Sequence, residues 1–232
     1  MTERGMIFNS EMVRALLDGR KTQTRRIMKP QPTPCPRGGS WWPSDKHRTM
    51  LHVEEALQNS EGIWEGLVGD ACPFGQPGDR IWVREAFRVM GCATDVARLM
   101  YKASERNSFT ESTRTVPVAS CTKQPSQKWT PSIHMPRWAS RITLEITDVR
   151  VERLNSISEE DAAAEGVGSA LWFAANGVPE EEWASLGEHG AERASHINTF
   201  ATLWESIYGA ESWQANPWVW VIEFKRVSGE AV

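Results

Sequence analysis

Between Ser10 and Leu17 the apolar residues Met12, Val13, Leu16 and Leu17 form one stripe of helical period. Asn9 or Ser10 stands ready to cap it, and Gly19 suits a left-handed stop. "KTQTRRI", from Lys21, then reads as an extended segment. "PGDRIWVRE" is a turn feeding a strand, because Ile81 and Val83 alternate with Trp82 and Arg84, and "RLMYKA" is the expected partner of that strand. "RITLEITDVRVERL" is the longest alternating run in the chain. Its parity shifts from Ile142, Leu144 and Ile146 to Val149 and Val151, which predicts a bulge or bend near Asp148. "SEEDAAAEG" predicts a short helix capped by Ser158 and stopped at Gly166. Ile197, Phe200, Leu203, Trp204 and Ile207 mark an amphipathic helix, and "WVWVIEFKR" closes the pattern as a core strand.

Two regions break this order. Residues 31–75 are rich in Pro, Gly and Ser and read as an irregular insertion, and residues 167–194 read as a second one. With both set aside, the pattern predicts a single domain over 1–232. Its class is mainly β with flanking helices (α+β), built as a small β-barrel with helices at its ends.

Composition adds a core and removes some function classes. The 232 residues include 12 Trp and are 40% hydrophobic, enough for a buried interior. A net charge of −4 argues against wholesale coating of nucleic acid, although local charge is segregated. Arg20, Lys21, Arg25, Arg26 and Lys29 crowd together without an acid, whereas nine acids and no Lys or Arg lie between Leu154 and Glu192. The four cysteines are widely spaced, so no disulfide framework is expected. Cys35, His47, His52 and Cys72 match no zinc spacing, so no metal and no cofactor is expected. No apolar run is long enough to span a bilayer and "MTERGMIF" lacks a signal-peptide core. The expected location is the cytoplasm, with no membrane partner and no protein partner identifiable.

The candidate chemistry starts in "GRKTQTRR". A lysine whose pKa is lowered by burial can act as base for a neighbouring hydroxyl, which makes Lys21 and Thr24 a candidate pair. On a fully extended strand residues three apart face opposite ways, so the two meet only if Lys21 lies in the bend after Gly19. The same residues also fit a basic surface strand. Glu165 is either a solvated helix end or an acid held protonated in an apolar pocket. "WTPSIHMPRW" fits a lid in which Trp138 or Trp129 stacks on a base and His134 hydrogen-bonds it, or simply core packing. Arg84 can hold a phosphate or pair with an acid.

Together these pieces resemble the ASCH domain, of the PUA-like superfamily of small β-barrels linked to RNA and nucleotide chemistry. The resemblance rests on Gly19, Lys21 and Arg26 in G-x-K-x-x-E-x-R, on "PGDRIWVRE" and on "WVWVIEFKR". Thr24 stands where the general pattern has Glu, and "GRKTQTRR" is similar to the branch of small bacterial amidohydrolases that deacylate N4-acetylcytidine. That resemblance implies Lys21 as base, Thr24 as nucleophile and Glu165 as proton donor, with Arg26, Arg84, His134 and Trp138 as substrate contacts. It implies a modified nucleoside, nucleotide or RNA as partner. The alternative it leaves open is a non-catalytic RNA- or nucleotide-binding module. The whole chain also resembles longer ASCH-containing proteins of phages and prophages, which implies the cytoplasm of a bacterial host.

Overall fold

The computed structural model describes residues 1–54, 67–118, 125–168, 177 and 195–227. In chain order the elements are β1 (Glu3–Ile7), α1 (Ser10–Leu17), β2 (Gln23–Ile27), β3 (Thr33–Pro34), β4 (Ser40–Ser44), β5 (Thr49–His52), α2 (Leu67–Asp70), β6 (Arg80–Arg84) and β7 (Phe87–Cys92). There follow β8 (Val96–Tyr101), α3 (Phe109–Ser112), β9 (Thr113–Pro117), β10 (Thr143–Arg153), α4 (Glu159–Ala164), α5 (His196–Tyr208) and β11 (Trp218–Val227). The chain is mainly β with helices, and it carries several sheets. Among the described residues none closes into a barrel, because closure requires the two end strands to pair and the strand orders here are linear. The small barrel expected from the sequence is therefore corrected to open sheets.

The chain divides into two compact units, each discontinuous in sequence. One comprises Met1–Gly19, Gly78–Glu145 and Lys225–Val232, and the other Arg20–Pro77 and Ile146–Phe224. No composition shift marks such a division, since each unit is assembled from separated stretches.

In the first unit β1 runs parallel to β6, with Glu3 opposite Arg80 and Ile7 opposite Arg84. The start of β10 lies antiparallel on the other side of β6, with Thr143 opposite Trp82. Gly5 is required here, because a β-carbon on it would sit 2.6 Å from the Trp82 ring. The expected partner of "IWVRE" was "RLMYKA", but β8 pairs with β7 instead, Phe87 opposite Tyr101. Between β6 and β7 lies the buried Glu85, which accepts two bonds from Arg141 at 2.8 and 3.0 Å. β9 completes this sheet on β8, and Phe87, Val89, Leu99, Tyr101, Val116 and Met135 form its core. Cys92 is disulfide-bonded, against the expectation of no bridges; wide spacing in sequence sets no distance in space.

In the second unit β11 pairs antiparallel with β2, Val219 opposite Ile27 and Ile222 opposite Thr24. Residues 31–75 are not wholly irregular: β3, β4 and β5 form a three-stranded antiparallel sheet. Trp42 of β4 is buried, and its ring meets Trp220 of β11 edge-on at 5.3 Å. The parity shift at Asp148 is present, with Leu144 and Ile146 buried, Thr147 and Asp148 exposed, and Val149 buried. α4 is capped by Ser158, which accepts from the Asp161 amide at 3.1 Å, and it packs against α5; Ala162 and Phe200 are both buried. Residues 169–176 and 178–194 of the expected second insertion lie outside the described residues.

Gly166 ends α4 with φ +81°, a conformation that costs an L-residue about 1–2 kcal/mol. Gly166→Ala is expected to lower unfolding free energy by about that amount, read as a lower urea midpoint at unchanged slope. An unchanged midpoint would show that residue 166 relaxes out of the left-handed region.

Candidate functional site

After Gly19, itself at φ +76°, the backbone of residues 20–22 runs antiparallel to residues 164–166. The Thr22 amide donates to the Ala164 carbonyl at 2.8 Å, Arg20 Nη1 donates to the Gly166 carbonyl at 2.9 Å, and Lys21 and Glu165 form a bridge pair. On the other side the Phe224 amide donates to the Thr22 carbonyl at 2.8 Å. Lys21 is thereby fixed at the entrance to β2 and Glu165 at the last turn of α4.

Lys21 Nζ donates to Glu165 Oε2 at 2.7 Å and to the Glu165 carbonyl at 2.8 Å, with 0% of the lysine side chain and 1% of the glutamate side chain exposed. Burial pulls the Lys21 pKa down, because an ammonium without water loses its hydration. Glu165 opposes that shift, while the like charges of Arg26 and Arg25 reinforce it.

The alternation of β2 then sorts its side chains. Gln23 and Arg25 point toward α4: Gln23 Nε2 donates to the Asp161 carbonyl at 2.6 Å, and Arg25 Nη2 donates to Asp161 Oδ2 at 2.8 Å. Arg25 also donates to Glu152 Oε2 at 3.1 Å and, through Nη1, to Glu165 Oε1 at 3.4 Å. Behind it Arg150 donates to Glu152 at 2.6 Å and to Asp161 at 2.9 Å, and also bonds Glu223. Burial would raise the Asp161 pKa, but the hydrogen bond and charge of Arg25, followed by those of Arg150, hold it below the usual carboxylate range.

Thr24 and Arg26 project from β2 on the side opposite Gln23 and Arg25, across from Ile222 and Trp220 respectively. Thr24 is buried and Arg26 half-buried. Among the described residues no hydrogen bond joins Lys21 Nζ to the Thr24 hydroxyl. The structure thus brings Lys21 and Glu165 into contact and leaves Thr24, three positions after Lys21, without a hydrogen bond to either.

Arg84, His134 and Trp138 belong to the first unit. Arg84 is committed locally, since Nε donates to the Ser132 carbonyl at 3.3 Å, Nη2 bonds the Ile133 carbonyl, and the guanidinium stacks 5.3 Å from the Trp82 ring centre. His134 is exposed in a short helical turn, and Trp138 packs on the Phe87–Met135–Ala139 core. The segment is therefore a packed loop at Trp138. The sequence reading missed Arg25, Asp161, Glu152 and Arg150. The available signal was the even spacing of Lys21, Gln23 and Arg25.

In the second unit Trp41 Nε1 donates to His52 Nε2 at 2.8 Å, and Cys35 Sγ lies 4.0 Å from the same nitrogen. Among the described residues no group of His, Cys, Asp and Glu is placed to hold a metal, and no helix is long and apolar enough to cross a membrane.

No family model, no curated protein and no solved structure matches this chain.

A lysine whose pKa is lower in the folded chain binds its proton more weakly there than when unfolded. Stability must then rise with pH from that lowered value up to the unfolded value of about 10.4. Chemical unfolding of wild type and Lys21→Met across this window should show the rise in wild type only. Equal slopes in both would refute the shift. Separately, Glu165→Gln leaves Lys21 and Arg25 short of a buried counter-charge and is expected to cost about 3–5 kcal/mol.

Proposed function

We propose that this chain is a divergent ASCH-type amidohydrolase that removes an acyl group from the exocyclic amine of a nucleoside such as N4-acylcytidine. The observation that carries the reading is the burial of Lys21 beside Glu165. Phosphate binding calls for an exposed, charged lysine, whereas base catalysis calls for one that is desolvated and easily neutralised. The 2.7 Å contact sets the Glu165 carboxylate within proton-transfer distance of Lys21 Nζ.

In the proposed reaction Lys21 exchanges its bond to the Glu165 carbonyl for one to Thr24 and takes the hydroxyl proton. Thr24 Oγ1 attacks the acyl carbon, and the resulting tetrahedral intermediate collapses with cleavage of the C–N bond. Glu165 protonates the departing amine. Water then attacks the threonyl ester, releasing the carboxylic acid and restoring the hydroxyl. Arg26, on the Thr24 side of β2, orients the substrate. Burial of Thr24 keeps the ester from bulk water until the base is again free.

The test is release of cytidine and acetate from N4-acetylcytidine, and of the matching acid from longer N4-acyl analogues. Wild type should turn over at least one of them. Thr24→Val should lose all measurable hydrolysis with the thermal midpoint retained, since the two residues are both β-branched and of similar volume. Lys21→Met should lose about 10²–10⁴-fold. Full activity in Thr24→Val removes the nucleophile. Binding of cytidine nucleotides without turnover by wild type replaces the hydrolase with a binding module.

A further inference from the structure

The Glu165 carboxylate is held from both sides. Oε2 faces Lys21 Nζ at 2.7 Å, and Oε1 faces Arg25 Nη1 at 3.4 Å, with no part of the Arg25 side chain exposed. The planar guanidinium therefore fixes which oxygen is offered to the lysine, and its charge acts on the pair without solvent screening. Asp161 and Glu152 draw on the other arm of the same guanidinium, at 2.8 and 3.1 Å. Arg150 and Glu223 hold those two acids in turn.

We propose that Arg25 is a positioning residue for Glu165, and that the Asp161–Glu152 pair behind it sets the pH at which Lys21 gives up its proton. The proposal rests on the hydrolase reading for its catalytic consequence alone. The charged groups facing the pair are Arg25 and Arg26 from β2. Behind Arg25 lie Asp161 from α4, Arg150 and Glu152 from β10, and Glu223 from β11.

The sign differs for the two sides of the network. Arg25 is a positive charge beside Lys21, so removing it strengthens proton binding there and moves the Lys21 midpoint up. Asp161 partly cancels Arg25, so removing the Asp161 charge weakens proton binding and moves the midpoint down. A purely structural role predicts movement in neither. Under the proposed reaction Lys21 is the base, so kcat/KM changes with pH at the same midpoint.

The experiment is an NMR titration of the full chain, following Lys21 Cε. Arg25→Gln should raise the midpoint by about one pH unit or more, and Asp161→Asn should lower it. Arg25→Lys should keep the wild-type midpoint while kcat for N4-acetylcytidine falls about tenfold at unchanged KM, because a single ammonium replaces the charge but not the fork. Asp161 is partly exposed, so Asp161→Asn carries the test if Arg25→Gln does not fold. Unmoved midpoints in the folded variants overturn the proposal. Midpoints that move as stated in a protein with no hydrolase activity uphold the Arg25 control of Lys21 and overturn the hydrolase reading instead.

Discussion

An ammonium group stripped of water must either find a counter-charge or give up its proton, and the second unit is arranged around that demand at Lys21. Glu165 answers it with a carboxylate oxygen and a backbone carbonyl. The answer creates a new demand, because Glu165 is itself buried and needs a second cation. Arg25 supplies one, but a buried guanidinium needs more than one oxygen, and Asp161 and Glu152 fill its remaining arm. The chain of obligations reaches the surface at Asp161 and Glu152, which are partly exposed, and continues to Arg150 and Glu223, which are also partly exposed. Each member is tolerable because the next is present, so a buried polar network of this kind is cooperative.

That arrangement depends on two backbone details. Gly19 and Gly166 each adopt a left-handed conformation at the end of a helix, and each is followed or preceded at once by residues of the Lys21–Glu165 bridge. A helix stop normally serves to satisfy terminal carbonyls. Here the two stops also aim the chain so that residues 20–22 and 164–166 run past each other as a short antiparallel contact. The alternation of β2 then delivers Gln23 and Arg25 to the same side as the acids of α4.

Much of this was readable from local chemistry. The caps at Asn9 and Ser158, the apolar stripe of α5, the strands β6, β10 and β11 and the parity shift at Asp148 follow from short-range pattern, and they are where the pattern placed them. The strands β3, β4, β5 and β9 were not legible. They are short, carry Pro34, Pro43 or Pro117, or have few apolar side chains, and their stability comes from burial such as that of Trp42 on Trp220 rather than from propensity. The role of Arg25 was hidden for another reason. Its partners lie more than a hundred positions away, and no local signal tells a basic residue on a strand whether acids will arrive beneath it.

The discontinuous build of the second unit has a meaning during synthesis. Lys21 leaves the ribosome 144 positions before Glu165. At about 5–20 residues per second this interval is roughly seven to thirty seconds. Throughout it the lysine has no counter-charge to bury against, so it stays hydrated and the "GRKTQTRR" segment remains an open basic stretch on the nascent chain. Closure of the unit also awaits β11, whose pairing with β2 comes later still. Lys21 and Arg25, buried in the finished unit, therefore spend the birth of the protein as accessible cations, within reach of any anionic surface near the exit tunnel.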